Sequence, residues 1–515
     1  MERENLPLDR RLRQEILLAR ERVYRFGTST PLEKLVLPGD EPGPEIWVKR
    51  EDLSPVKSYK WRGACNRMAS LSPDEAGRGV VTASAGNHAQ GVALAARVLG
   101  ISARIYMPRS TPKVKIEAVR KHGGTFVEIH LAGDRYDDAV AAAREYEATE
   151  DVTYVHAYDD VLVMAGQGTL ADEVVLSGHG PFDVAYLQIG GGGMAAGASN
   201  WLKTYWPEIE IVGVEGAGQA SMLAALQAGE PVALREVDIF CDGTAVRQAG
   251  ALPFEICRQN IERLETVTNE QVNFAIRTLW EGLRCISEPS GAMGLAGVLK
   301  NRAALAGKRV LVVITGANID FLQLGLIARS EGASSTAERA FRIRIPERVG
   351  SMLELLDSCF GGINVADFQY GIQNPIDSWP VFTVSAEEPG ALDAFPARLD
   401  AAGYEWEEVT GAVDVVFRAV PLQTKLLNYP AFLRLDFYER RGALHDFLDR
   451  QIRGRASICY FNYRESGESV GRALIGLDFQ TEGEREAFLA GLPEQGEGYR
   501  TCTPVDAATL ARLTK

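Results

Sequence analysis

The stretch Val184 to Trp201 reads VAYLQIGGGGMAAGASNW. Its first six residues, Val184–Ile189, are mostly apolar and predict a buried strand. Four glycines follow, Gly190, Gly191, Gly192 and Gly193, and Met194 opens an alanine-rich segment that predicts a helix to Trp206. A strand, a glycine loop and a helix start together make an anion site. Without Cβ atoms the backbone N–H groups can approach a ligand closely, and the helix dipole favours negative charge there. A plain tight turn needs one such glycine, and four in a row cost much backbone entropy, so the loop points to a bound phosphate. No Gly-Lys-Ser/Thr follows, which excludes a nucleotide P-loop. A dinucleotide stays open at this point, because Gly190, Gly192 and Ala195 fit G-x-G-x-x-A and Glu215 closes the next apolar run, Ile209–Val214.

The loop sits in a chain of 515 residues, long enough for several domains, with 46% hydrophobic and 24% charged residues as in globular proteins. A net charge of -14 argues against nucleic acid and anionic membrane as partners. No apolar run approaches a membrane span, and the opening MERENLPLDRRLRQ lacks a signal-peptide core. The seven cysteines are dispersed, odd in number and form no C-x-x-C, so they predict reduced thiols in a cytoplasmic protein. The six histidines are scattered, and no metal is expected.

Outward from the loop, strands and helices alternate. Leu8–Arg25 predicts a helix, Ile46–Lys49 a strand, and Tyr59 to Leu71 a helix after the loop Ser54–Ser58. Most lysines are solvated surface charges, but Lys60 stands between Tyr59 and Trp61 at a helix start. Desolvation there depresses an amine's pKa and suits Schiff-base chemistry. Gly79–Ser84 predicts a strand, and Ser84-Ala85-Gly86-Asn87-His88 a turn into the helix His88–Leu99. By itself Asn87 reads as an N-cap and His88 as a structural histidine. Ser102–Tyr106, Thr125–Ile129 and Val152–Val155 follow as strands, with Pro112–Lys121, Tyr136–Glu147 and Gly168–Leu176 as helices. A last strand, Arg309–Ile314, ends in Thr315-Gly316-Ala317-Asn318. Repeated β–α units predict a parallel sheet covered by helices on both faces, with ligands beyond the carboxyl ends of its strands. Lys60, Ser84–His88, Gly190–Gly193 and Thr315 all fall at or near that rim.

Five motifs therefore stand in order: Ser58-Tyr59-Lys60 with Arg62-Gly63-Ala64, the run SAGNHAQG from Ser84 to Gly91, Gly190–Gly193, Glu288-Pro289-Ser290-Gly291-Ala292, and Thr315 to Asn318. Together they resemble the threonine dehydratases, pyridoxal-phosphate enzymes of fold type II, the tryptophan-synthase β-like α/β fold. The resemblance covers nearly the whole chain and selects pyridoxal phosphate over NAD. It implies that Lys60 carries the cofactor through its amine, with Tyr59 beside it. Gly190 to Gly193 with Met194 would cradle the phosphate, and Asn87 would hydrogen-bond the ring hydroxyl. Thr315 would face the pyridine nitrogen, where most relatives have serine. A hydroxyl cannot protonate that nitrogen as an aspartate would, which favours expelling a β-hydroxyl over transamination. Ser84, Ala85, Gly86 and His88 would bind the substrate carboxylate, and the freed Lys60 would act as general base. Related serine racemases carry a serine where this chain has Ala85, and alanine has no proton to give to the opposite face. Some relatives bind a cation near Glu215 with an aspartate where this chain has Ser221, so no metal is expected. The activity implied is deamination of L-threonine to 2-oxobutanoate and ammonia, the first step of isoleucine biosynthesis, with L-serine as a second substrate. Two alternatives stand beside it. One is a dehydratase of another β-hydroxy amino acid, serine or a modified threonine, suggested by the unusual Trp61 and Cys65. The other is a regulatory homologue without activity, against which the intact Lys60, Asn87, glycine loop and Thr315 argue.

Beyond a catalytic part spanning 1–330, EGASST opens a linker over 331–338, and the chain then repeats itself. Glu347-Arg348-Val349-Gly350 returns as Glu439-Arg440-Arg441-Gly442, and Phe368-x-Tyr370 as Phe461-x-Tyr463. Each copy predicts a βαββαβ-like plan. The pair, over 339–425 and 430–515, resembles the tandem ACT-like α+β regulatory subdomains of the long biosynthetic threonine dehydratases. In that family isoleucine inhibits and valine opposes it, and the resemblance also implies a homotetramer. A pair that only supports oligomerisation is the alternative, and Ile376–Pro380 and the tail after Thr503 depart from the family pattern.

Overall fold

The alternating strands of the first 320 residues build two sheets rather than one. The computed structural model describes residues 6–37, 43–321, 323–325, 327–328, 338–346, 351–369, 376–386, 390–416, 427–438, 447, 451–452, 455–464, 470–492 and 499–513. They divide into two compact units, Met1–Asp320 and Phe321–Lys515.

The first unit holds ten strands: β1 Leu32–Leu35, β2 Glu45–Arg50, β3 Val80–Ala83, β4 Ala103–Met107, β5 Val127–Leu131, β6 Thr153–Tyr154, β7 Val184–Gln188, β8 Glu210–Gly216, β9 Arg263–Val267 and β10 Arg309–Ile314. One sheet runs β1-β2-β10-β7-β8-β9 and the other β5-β4-β3-β6. All pairings are parallel except β1 with β2, an antiparallel edge that the expectation of a parallel sheet did not include. Each sheet closes its own core. Val92, Ala93 and Ala96 of the helix Asn87–Leu99 pack with Ile105 and Val119, whereas Leu187, Ala196, Leu202 and Val313 pack with Met164 and Leu170. Hydrophobic periodicity is local, so it marks each strand without saying which core the strand joins.

The helix expected over Gly168–Leu176 begins earlier, at Val161. Asp160 caps it by accepting from Leu162 and Val163 N–H at 2.7 and 2.9 Å. Gly166 and Gly168 obscured this start, because glycine disfavours helix interiors. Here they allow close packing: a Cβ on Gly166 would lie 2.4 Å from the Arg62 carbonyl oxygen, and one on Gly168 2.6 Å from Ile16 Cδ1.

The second unit contains two antiparallel four-stranded sheets. The first orders Asn364–Gln369, Val381–Ser385, Arg339–Ile343 and Trp406–Glu408, and the second orders Ser457–Arg464, Val470–Phe479, Tyr429–Tyr438 and Thr501–Pro504. In chain order both are second-third-first-fourth. Both carry a register shift at the matching place, between Val365 and Asp367 in one and between Ile458 and Tyr460 in the other. The repeated Glu-Arg-x-Gly segments and Tyr370, with most of the linker, lie outside the described residues. All seven cysteines are free. Among the described residues no helix is long and apolar enough to cross a membrane.

Candidate active site

Lys60 is the first residue of the helix Lys60–Ala69, so its amine leaves the backbone where the helix meets the rim of the six-stranded sheet. The segment before it is tied to the end of β10. Tyr59 N–H donates to the Thr315 carbonyl at 3.0 Å, and Ala317 N–H to the Lys57 carbonyl at 2.9 Å. Ser58 and Gly316 form an antiparallel bridge. The Lys60 amine donates to the Ala157 carbonyl at 3.0 Å and lies 5.4 Å from the Tyr59 ring centroid. Burial pulls its pKa down to about 8, opposed by the charge of Glu288. More of the amine is therefore neutral near physiological pH than in a free lysine, which favours its action as a nucleophile and base.

The glycine loop joins β7 to the helix Gly193–Tyr205, within one residue of the expected helix start. Its carbonyls are used: Gly191 accepts from Gly250 N–H at 3.0 Å and Gly192 from Ala196 N–H at 2.8 Å. Its N–H groups are not, since among the described residues none from Gly190 to Gly193 finds an acceptor. Side chains are excluded by geometry. A Cβ on Gly190 would lie 2.8 Å from the Thr244 backbone, and one on Gly191 2.2 Å from the Tyr158 ring. A Cβ on Gly193 would lie 2.8 Å from the Tyr158 carbonyl, and Gly192 has φ +91°. A buried row of unpaired N–H groups at a helix start fits a phosphate. Met194 is itself in the hydrophobic core, so its backbone is what faces the loop.

The turn Ser84 to His88 follows β3 of the other sheet. The Ser84 hydroxyl oxygen accepts from Gly86 and Ala89 N–H, each at 3.3 Å, which leaves its hydrogen to donate. The N–H groups of Asn87 and His88 belong to the first helical turn and have no intrahelical partner. The His88 ring is turned away: its Nε2 pairs with the Val155 carbonyl at 3.0 Å, and burial holds its pKa down to about 3. His88 therefore offers a backbone donor and a neutral structural ring. Ala85 and Gly86 present no side-chain polar group, and a Cβ on Gly86 would meet nothing within 4 Å.

Thr315 is buried at the end of β10, where its hydroxyl accepts from Gln188 Nε2 at 3.2 Å. Gln188 closes β7 and also reaches the carbonyls of Val313, Gly291 and Ser290 at 2.8, 3.2 and 3.3 Å. Sequence reasoning assigned no role to Gln188 or to Tyr158, Glu288 and Asn318. The signal for Gln188 was a lone amide within an apolar strand, which burial obliges to find partners. Glu288 opens the Glu-Pro-Ser-Gly-Ala motif, and nothing local in the sequence shows what its carboxyl faces. Its buried carboxyl accepts from Asn87 Nδ2 at 2.6 Å and from Asn318 N–H at 3.1 Å. Burial and the nearby Asp242 push its pKa up to about 7, against the pull of Asn87, Lys115 and Asn318. Glu215, by contrast, is committed to its fold, accepting from Met222 and Leu223 N–H at 2.8 and 2.9 Å.

Comparison with known proteins matches residues 23–316 to the family of pyridoxal-phosphate dependent enzymes and residues 427–510 to the C-terminal regulatory domain of threonine dehydratase. The chain is 36% identical over 486 residues to the biosynthetic L-threonine dehydratase of Burkholderia multivorans, covering 93% of this chain and 95% of that one. It is 34% identical to the chloroplastic biosynthetic threonine dehydratase of Arabidopsis thaliana, covering 93% and 80%. Among solved structures it is similar to the processed form of threonine deaminase isoform 2 from Solanum lycopersicum, with a TM-score of 0.58 and 37% identity over 62% of this chain and 93% of that one. Maize serine racemase shares 25% identity with a TM-score of 0.55, over 62% of this chain and 98% of that one.

Proposed function

The chain belongs to the pyridoxal-phosphate-dependent threonine dehydratases, and from that premise we propose the roles its residues play in converting L-threonine to 2-oxobutanoate and ammonia. The observation that carries the assignment is the meeting, in one unit, of a lysine with a lowered pKa and a row of unpaired glycine N–H groups. When bound, the cofactor supplies an electron sink for negative charge at the substrate's α-carbon.

Lys60 would hold the cofactor through its Nζ, and the same Nζ is the base that would take the substrate's α-proton. Its lowered pKa lets it accept and release that proton near neutrality. Gly190 to Gly193 and the N–H of Met194 would bind the phosphate, Asn87 would hydrogen-bond the ring hydroxyl, and Tyr59 would line the ring. The hydroxyl of Ser84 and the N–H groups from Ala85 to His88 bind the substrate carboxylate at a helix start. Thr315 would present a neutral hydroxyl toward the ring nitrogen, which would favour loss of the β-hydroxyl over transamination. Ala85 gives no proton to the face opposite Lys60, which favours elimination over racemisation. L-Serine lacks only the methyl of threonine and is a second substrate.

The second unit is a pair of ACT-like regulatory subdomains, over 339–425 and 430–515, through which isoleucine inhibits and valine opposes. Its two sheets of like strand order and like register shift support the pairing. The enzyme works as a cytoplasmic homotetramer. The test is 2-oxobutanoate formation from L-threonine with and without L-isoleucine. Turnover suppressed by isoleucine is expected. Turnover without suppression overturns the regulatory assignment, and a yellow protein without turnover overturns the substrate.

A further inference from the structure

Both ends of the Asn87 amide are held by groups that lie behind it. Asn318 Nδ2 donates to the Val56 carbonyl at 2.8 Å and to Asn87 Oδ1 at 2.7 Å. A backbone carbonyl can only accept, so the nitrogen end of Asn318 must face Val56 and the oxygen end of Asn87 must face Asn318. Asn87 Nδ2 then points to Glu288 Oε1 at 2.6 Å, and Glu288 Oε2 accepts from the Asn318 N–H at 3.1 Å. The three residues form a closed ring in which Asn318 donates to both of the others and Glu288 only accepts. Turning the Asn87 amide over would set its N–H groups against those of Asn318. One hydrogen on Asn87 Nδ2 is left over, with no acceptor among the described residues.

We propose that Glu288 and Asn318 are positioning residues that lock Asn87 with an N–H, and not its oxygen, available to the cofactor's ring oxygen, so that the site favours that oxygen in its ionised form. The inference rests on the role proposed above for Asn87. A donor aimed at an oxygen favours the charged state of that oxygen, and the hydrogen bond is stronger for the charge. The packing leaves the Glu288 carboxyl little room to move. A Cβ on Gly316 would lie 2.5 Å from its Oε1, and one on Gly243 3.4 Å from the same atom. The titratable groups that interact with Glu288 are Tyr59, Lys60, Lys115, Cys241 and Asp242. All of them stay in place in the variants below.

The experiment is an absorbance titration of the full-length holoenzyme between pH 6 and 9.5, with the dissociation constant for pyridoxal phosphate measured alongside. Glu288→Gln keeps the shape of the side chain but must set an N–H against either Asn87 or Asn318. Its midpoint between the two absorbing forms should move up by about one pH unit, and the dissociation constant should rise about tenfold. Asn318→Ala, which leaves the Glu288 charge, should move both quantities in the same direction. If Asn87→Ala displaces the midpoint but neither of the other two does, Glu288 and Asn318 do not orient Asn87 and the proposal falls. Lower thermal stability with an unmoved midpoint also overturns it, because that is what a merely structural role gives. If Asn87→Ala itself changes neither quantity, the role of Asn87 is wrong and the proposal falls with it.

Discussion

Replacing Arg62 with methionine tests how the lysine-bearing helix is anchored. Arg62 is fully buried, two residues beyond Lys60, and its five N–H groups are all used. Two go to Glu51 at 2.9 Å, two to Glu173 at 2.6 and 3.0 Å, and one to Thr169 at 3.0 Å. Lys49 also pairs with Glu173, so the cluster is two cations against two carboxylates, all buried. Burial works against Glu173, but Arg62 and Lys49 hold its pKa down to about 2. Removing one partner of a buried pair costs about 3–5 kcal/mol. Here the loss strands one negative charge, which the protein relieves by protonating one carboxylate. In the native enzyme the depressed pKa of Glu173 contributes stability that is present above the unfolded value and lost as pH falls. In the variant the sign reverses. A carboxylate with a raised pKa binds more protons folded than unfolded, so stability is lost as pH rises, by about 1.4 kcal/mol per pH unit. The assay is urea unfolding followed through the bound cofactor's absorbance, which reports on the first unit alone. The deficit against native enzyme should be larger at pH 8 than at pH 6. A deficit under about 1 kcal/mol at pH 8, or one equal at both pH values, would refute a buried charge cluster.

Four shorter tests address the site and the regulatory unit. Lys60→Ala should lose both the covalently held cofactor and steady turnover, checked by borohydride reduction with mass spectrometry and by product assay. Gly191→Ala places a methyl 2.2 Å from the Tyr158 ring, so the loop must open and the dissociation constant for pyridoxal phosphate should rise at least about tenfold in a fluorescence titration. Thr315→Asp should raise transamination relative to elimination, read as the ratio of the two products; an unchanged ratio would count against the role of the hydroxyl. Ending the chain after Arg329 should keep turnover and remove the response to isoleucine, and a retained response would place the effector site in the first unit.

Much of the site was legible because its parts are local. The glycine loop, the lysine at a helix start and the strand Arg309–Ile314 each declare themselves within a dozen residues. What was not legible depends on distance in the chain. The division into two sheets is settled by which helices fill which core, and β1 joins through an antiparallel register with β2 that sets Leu35 opposite Ile46. Glu288 acquires its place from Asn87, some two hundred residues away, and Arg62 from Glu173. A single sequence shows that a carboxylate exists in a motif but not which amide it faces. In the second unit the repeat was read from Glu-Arg-x-Gly, which falls outside the described residues. What the two described sheets share is their strand order and the place of their register shifts.

The segment that leads into Lys60 is anchored to the end of β10 without help from the side chain of Thr315. β2 and β10 pair in parallel with Arg50 opposite Ile314, so both chains leave the sheet at the same level. Beyond that point the contacts are the Ser58–Gly316 bridge, Tyr59 N–H to the Thr315 carbonyl and Ala317 N–H to the Lys57 carbonyl, all between backbone atoms, and Asn318 Nδ2 to the Val56 carbonyl. Lys57 takes φ 59° to turn the chain into this arrangement. None of these bonds uses the side chain of residue 315. Its hydroxyl is held separately, accepting from Gln188 Nε2 at 3.2 Å and donating to the Ser290 carbonyl at 3.5 Å. A substitution at 315 therefore changes that side chain while the segment carrying the lysine keeps its anchor. For this reason the product ratio of Thr315→Asp reads the chemistry of that position rather than a displaced base.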